Sequence, residues 1–171
     1  MAGFSAFINV KIHKSGIHAD VAAKARIQWI QGVRSATAEL LSVYYEILFD
    51  PKDGEIQKMY AKSREKNALL ILFFGPDRPG RGQTEDIKDI RTNRGKNHLI
   101  VELLNRISDM VFQYIMIPVC EENANLGCVR RDTDPGEKKN LKADIENALC
   151  ELNAAIRIYG KIEWDKAKRG K

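Results

Sequence analysis

The chain has 171 residues, of which 44% are hydrophobic and 30% are charged, a composition that is typical of one globular domain and unlike that of a disordered chain. Its formal net charge of +5 is a mild basic bias, which is compatible with a polyanionic partner. Three cysteines are too few for a disulfide scaffold, and no apolar run approaches the roughly 20 residues of a membrane-spanning helix. We therefore expect one cytoplasmic domain over residues 1–171 that makes no contact with a membrane.

The N-terminal residues 1–14 are expected to form an extended arm or a short strand. The stretch FSAFINVKIH has apolar residues at Phe7, Val10 and Ile12, and this near-alternation is typical of extended structure. An apolar arm has no partner within a purely helical protein. It is therefore a candidate for pairing with a second copy of the chain.

Residues 19–49 are predicted to form an amphipathic helix. Apolar residues recur there at intervals of three and four, which places them on one stripe of a helix. The stripe consists of Ile30, Val33, Thr37, Leu40, Leu41, Tyr44, Ile47 and Leu48.

Residues 50–71 allow two interpretations. Asp50, Pro51 and Asp53 are suited to the start of a second helix. Its inner face would consist of Ile56, Met59, Tyr60, Ser63, Asn67, Leu70 and Ile71. Alternatively, DPKDG is the turn of a β-hairpin over residues 44–60, with Gly54 at positive φ. The stripe of the first helix continues in phase up to this turn, so we favour the helix hairpin.

A long loop with glycines and prolines is predicted over residues 75–97. Gly75 follows an apolar helix end, where a left-handed cap is expected, and Pro76 cannot continue the helix. In a P-loop a lysine and a hydroxyl bind phosphate and magnesium, but here Arg81 and Gly82 occupy their positions. The loop is therefore interpreted as a connection between helices and not as a nucleotide cradle.

The same loop is basic, and no acidic residue occurs between Ile90 and His98. Long loops are often contact surfaces, and a guanidinium donates two parallel hydrogen bonds to a phosphate. We predict that the polyanion-binding residues are Arg78, Arg81, Arg91, Arg94 and Lys96.

Two further helices are predicted after the loop, over residues 98–118 and 137–164. The first has its apolar stripe at Ile100, Leu103, Leu104, Ile107, Met110, Val111, Tyr114 and Ile115. The second has its stripe at Leu141, Ile145, Ala148, Leu149, Leu152, Ala155, Ile156 and Tyr159. Asp134, Pro135 and Glu137 form a start signal for it, with a capping side chain and a proline suited to the first helical position.

The predicted fold class is therefore mainly α, a four-helix bundle with a short extended N-terminal segment. The alternative is an α+β fold with a hairpin at residues 44–60. Residues 160–171 add a basic C-terminal tail. In an antiparallel hairpin the basic start of the first helix would approach the later part of the second, which would bring together Lys24, Arg26, Arg64 and Lys66.

The sequence contains no recognisable catalytic motif. His13, His18 and His98 lack the spacing of zinc or di-iron ligands, and no G-x-S-x-G elbow is present. We expect no metal, no cofactor and no enzymatic activity.

Two functions remain as expectations. The first is a binding protein that engages a polyanion, with nucleic acid as the expected class, through the basic loop and the basic helix ends. The alternative is a structural or assembly protein that forms a homo-oligomer through helix faces and the apolar N-terminal arm.

Overall fold

The protein is a bundle of four α-helices in a computed structural model, which describes residues 3–50, 54–77, 82–117 and 135–169. Within these ranges, side chains are described from residue 19 onward, except at residue 135. The helices are α1 (Gly3–Phe49), α2 (Ile56–Ile71), α3 (Lys96–Met116) and α4 (Pro135–Lys168). No strand occurs within the described ranges. The predicted mainly α four-helix bundle is confirmed, and the β-hairpin alternative is excluded because α1 runs to Phe49 and α2 begins at Ile56.

Each helix runs antiparallel to the helices beside it. α1 packs against α2 and α4, and α3 packs against the same two helices, so the four helices form a closed ring in cross-section. Glu39 meets Lys66 while Trp29 meets Phe73, and these two pairs fix the antiparallel direction of α1 and α2. The order is therefore up-down-up-down, which the sequence had left open.

The core forms where the apolar stripes of the four helices meet. Tyr44, Leu104 and Leu149 are fully buried there, and burying one such leucine contributes about 1.5–3 kcal/mol. Most residues of the predicted stripes are buried, and the remaining ones are partly buried. The three- and four-residue periodicity thus identified the inner face of every helix.

The N-terminal segment differs from expectation. Residues 3–14 are the start of α1, which is 47 residues long, so the expected extended arm or strand is wrong. The apolar residues there also recur at intervals of three and four, and a short window does not distinguish the two periods. Extending an existing helix costs far less than nucleating one, which favours the helical choice.

α1 is longer than the bundle that it joins, since its 47 residues span about 70 Å. Arg26 of α1 pairs with Glu163 of α4, only five residues before α4 ends at Lys168. The first part of α1 therefore runs beyond the end of α4. At the other end of the chain, residues 160–168 belong to α4, so most of the predicted basic tail is helical.

Candidate functional site

Hydrogen bonds from neighbouring elements hold the described part of the predicted loop in place. The carboxylate of Asp77 accepts hydrogen bonds from the backbone N–H of Gly95 at 3.1 Å and of His98 at 2.9 Å. The His98 ring nitrogen Nδ1 also lies 3.1 Å from Asp77 Oδ2. These bonds supply the start of α3 with an anionic cap from a distant residue, because Gly95 has no side chain to cap it. The start of α3, where backbone N–H groups would otherwise be open to a phosphate, already holds a carboxylate of the protein.

The pKa of Asp77 reflects this capping role. Burial raises the pKa of its carboxyl, but the hydrogen bonds from His98 and Gly95 outweigh burial, so the pKa lies below its ordinary value. The carboxylate is therefore ionised at neutral pH and holds the loop in place.

Two asparagines fix the loop to α4 and to the end of α2. Asn93 Nδ2 donates to the carbonyl of Tyr159 at 3.1 Å and to Glu163 Oε1 at 2.9 Å. Asn97 Nδ2 donates to the carbonyl of Gly75 at 2.7 Å, and the Tyr159 hydroxyl donates to Asn97 Oδ1 at 2.9 Å. The loop is therefore held on both sides by hydrogen bonds.

The five predicted polyanion-binding residues have different environments. Arg78 and Arg81 lie outside the described residues. Arg91 has a side chain that is 86% exposed, but its guanidinium binds Asp89, with Nε 3.0 Å from Oδ1 and Nη2 3.3 Å from Oδ2. These hydrogen bonds lower the pKa of Asp89 to about 2. The expectation of cations without an acidic neighbour is thus wrong for Arg91, because Asp89 precedes it by two residues.

Lys96 requires a correction as well. It is the first residue of α3, its side chain is fully buried, and its ammonium donates to the backbone carbonyl of Asp89. Burial lowers its pKa, and the nearby carboxylates of Asp89 and Asp86 oppose that shift. Lys96 therefore supports the loop from inside and does not present its charge on the surface.

Arg94 is exposed on the outside of the loop. Its backbone N–H donates to Thr92 Oγ1 at 3.0 Å, and its carbonyl accepts from the backbone N–H of Thr84 at 2.9 Å. The backbone of Arg94 is thus fixed within the loop. Of the five predicted residues, Arg91 and Arg94 are therefore the two described ones whose side chains are exposed.

A second basic region lies where α1 and α4 run side by side. Arg26 Nε is 3.2 Å from Glu163 Oε2, which pairs the two helices. Farther along, a methyl group added at Gly160 would lie 3.9 Å from Nε and Nη2 of Arg34, so the Arg34 side chain passes close to the backbone of α4. We call residues 3–34 of α1 together with residues 157–169 of α4 the basic end.

The basic end carries more positive charge than the whole chain. Residues 3–34 contain five lysines and arginines against one acid, and residues 157–169 contain five against two. The net charge of the chain is only +5, so the rest of the chain is net acidic. The fold places residues 26–34 of α1 against residues 157–169 of α4, and the earlier part of α1 continues beyond α4 from that end, so charge that is dispersed in the sequence is concentrated there.

The outer face of α4 in this region carries a regular pattern of cations and one indole. We call Arg157, Lys161, Trp164 and Lys168 the α4 stripe, because all four are exposed and their spacing of four, three and four places them on one face. Lys168 Nζ lies 5.4 Å from the centre of the Trp164 ring, and Lys161 pairs with Asp165 at 2.8 Å. Lysine and arginine bind phosphates, and an exposed indole provides a face on which a base can stack.

Sequence reasoning did not identify the α4 stripe. It expected Arg64 and Lys66 to join the start of α1, but Lys66 pairs with Glu39 at 2.7 Å in the middle of the bundle. The partner of the basic start of α1 is α4 instead of α2. The spacing from Arg157 to Lys168 was the available signal, and it was missed because the predicted helix ended at residue 164 and Lys168 was assigned to the C-terminal tail.

Other classes of site receive no support from the described residues. No group of three or more His, Cys, Asp or Glu side chains in them is arranged to hold a metal ion. None of the described helices is both long and apolar enough to cross a membrane. Searches against protein-family models, curated proteins and solved structures gave no match to this chain.

Proposed function

We propose that the protein binds nucleic acid as a polyanion, through the α4 stripe and the neighbouring cations of the basic end. The observation that carries this proposal is the concentration of positive charge at one end of a bundle whose remainder is net acidic. Cations gathered on one surface release several counterions when a polyanion binds, and this release supplies affinity without sequence recognition.

Trp164 favours a single-stranded ligand over a duplex. Its side chain is 36% exposed and lies between cations of the α4 stripe. Stacking of one base on an aromatic side chain is worth about 1–3 kcal/mol, and it requires a base that is not already stacked within a duplex. Phosphates would contact Arg157, Lys161 and Lys168 on either side of the stacked base.

Fluorescence anisotropy with labelled oligo(dT) tests the proposal. We expect binding at low salt, and the logarithm of the association constant should fall linearly with the logarithm of the salt concentration, by about 0.7 for each phosphate neutralised. Trp164 fluorescence should be quenched on binding. An absence of binding at low salt, or an affinity that does not depend on salt, would contradict the proposal.

Assembly of several copies through α1 is the second candidate function. It is favoured by the part of α1 that runs beyond α4 and by Val21, which is 61% exposed on that helix. Multi-angle light scattering should then detect a dimer or higher oligomer, and Val21→Glu should shift it toward the monomer. A monomer at all concentrations would contradict this candidate and leave nucleic acid binding untouched.

A further inference from the structure

A groove between α2 and α3 lies on the side of the bundle opposite to the seam between α1 and α4. Its volume is about 550 Å³, within the range of roughly 300–1,000 Å³ that is typical of small-molecule sites. The residues that line it include aromatic, amide, hydroxyl and charged side chains: Tyr60, Arg64, Asn67, Asn105, Ser108, Asp109 and Phe112. This combination is richer in hydrogen-bonding groups than packing of two helices requires.

Asn67 is the unusual member of this set. Only 6% of its surface is exposed, and its Oδ1 has no hydrogen-bond partner. A buried amide without a partner destabilises a fold, and a leucine at this position would avoid that cost. Rotation of the amide exchanges its oxygen and nitrogen, so Asn67 can present either a donor or an acceptor to a ligand in the groove.

A second buried polar group lies behind the groove. Burial raises the pKa of the Tyr44 hydroxyl, and an interaction with the Ser108 hydroxyl, which lines the groove, opposes that rise. The wall of the groove is therefore polar from α1 through to α3.

The end of the groove near the start of α2 is aromatic. The rings of Tyr60 and Phe112 have centroids 5.6 Å apart and planes inclined by 35°, and Phe112 is 46% exposed. Asn67 lies two helical turns farther along, about 10 Å away, a distance comparable with the length of a mononucleotide from its base to its phosphate. Arg64 and Asp109 line the groove between these ends, and neither forms an ion pair within the described part of the chain.

We propose that this groove binds a mononucleotide, with the base against Tyr60 and Phe112, ribose hydroxyls donating to Asp109, and the phosphate on Arg64 and Asn67. An aromatic ring stacks on any base, a carboxylate oxygen accepts from ribose hydroxyls, and a guanidinium or an amide N–H donates to phosphate. The site is separate from the α4 stripe, so each proposal can fail without affecting the other.

Adenosine 5′-monophosphate is the probe for the test, added to the full-length protein and followed by ¹H–¹⁵N chemical shifts and calorimetry. We expect saturable shifts confined to α2 and α3. Phe112→Ala should weaken binding by about tenfold or more, and Met116→Ala, another exposed apolar residue of α3, should leave it unchanged. Arg64→Gln should weaken binding of the monophosphate and leave binding of adenosine unaltered.

Asn67→Leu separates a ligand-binding role from a structural one. We expect loss of binding together with a Tm equal to or above that of the wild type, because the variant removes an unsatisfied buried amide. A merely structural asparagine would instead give a lower Tm with binding unchanged. Absence of shifts in α2 and α3, full binding by Asn67→Leu, or preference for free phenylalanine over the nucleotide would each overturn the proposal.

Discussion

The loop over residues 82–95 and the α4 stripe both carry exposed cations, yet the two regions use them differently. In the loop, Asp89 binds Arg91 through two hydrogen bonds, and the cation at the end of the loop, Lys96, is buried. In the α4 stripe, Lys161 pairs with Asp165 at the surface, and Lys168 lies against an exposed indole. Each region therefore pairs one exposed cation with a nearby carboxylate, and the two differ because the loop buries Lys96 whereas the α4 stripe has an exposed indole beside its cations.

This difference shows that counting cations along a sequence does not locate a binding surface. Acidic side chains that brace a backbone also neutralise the cations beside them, as Asp89 does for Arg91. A regular helix has no such bracing requirement, because its backbone hydrogen bonds are satisfied internally. On the α4 stripe Asp165 pairs with Lys161 as well, but Arg157 and Lys168 lie on the same exposed face and hold no loop in place.

The largest loss of stability is expected from substitution of Gly95, the glycine at the end of the loop. Gly95 has φ of 83°, and a Cβ there would lie 2.8 Å from the Thr84 carbonyl oxygen. Gly95→Ala should therefore lower the free energy of unfolding by about 2 kcal/mol or more. Gly160→Ala is the matched control, because its Cβ would meet Ile30 at 3.7 Å, an ordinary contact.

Urea denaturation followed by circular dichroism measures both variants. The control should be neutral or stabilised by about 0.5–1 kcal/mol, as expected for alanine in place of glycine inside a helix. Equal stability of the two variants would mean that the loop is not braced as described.

A smaller loss of stability is expected from substitution of Asp77, which caps the start of α3. Asp77→Asn keeps one acceptor oxygen but removes the charge, and it should cost about 1–2 kcal/mol at neutral pH. The pKa of Asp77 in the folded protein is below its ordinary value of 3.8, so its stabilising effect is complete above about pH 5 and is lost as the pH falls through the folded-state pKa.

The pH dependence makes this prediction specific. The difference in stability between wild type and Asp77→Asn should be constant from neutral pH down to about pH 5 and should shrink toward pH 2. Glu85→Gln, an exposed carboxylate in the same loop, is the control and should show little change at any pH. A difference that grows on acidification would contradict the capping role.

The smallest change in stability is expected from substitution of Lys96. Lys96→Met replaces a buried ammonium by an apolar side chain of similar length, so the loss of the hydrogen bond to the Asp89 carbonyl is offset by removal of a buried charge and the stability should change little. Affinity for oligo(dT) should equal that of the wild type because the charge is not on the surface. A loss of affinity, measured by anisotropy, would restore Lys96 to the binding site.

The sequence predicted the helices and their inner faces because hydrophobic periodicity is a local signal. Pro135, for example, was placed at the first position of α4, where the structure has it. The cap by Asp77 and the burial of Lys96 could not be predicted in this way. Both depend on contacts that form only after α2 and α3 have packed, and no local pattern in the sequence encodes them.

Only the α1 part of the basic end could be predicted from the sequence. The excess of cations at the start of α1 is evident in the sequence, but its partner helix depends on which neighbours close the bundle. The pair Arg26 and Glu163 is separated by most of the chain, so α4 was not recognised as the partner. An adjacent helix in sequence, α2, was the natural expectation because consecutive elements usually pack together.

The most direct test of the central claim compares two triple variants in oligo(dT) binding across a range of salt concentrations. One removes the cations of the α4 stripe (Arg157→Gln, Lys161→Gln, Lys168→Gln), and the other removes three exposed cations of the loop (Lys88→Gln, Arg91→Gln, Arg94→Gln). We predict that the α4 variant binds more weakly and has a salt dependence that is shallower by up to about 2 in the logarithmic slope, while the loop variant stays close to wild type. A shallower slope for the loop variant, with the α4 variant unchanged, would contradict the account and return the binding site to the loop.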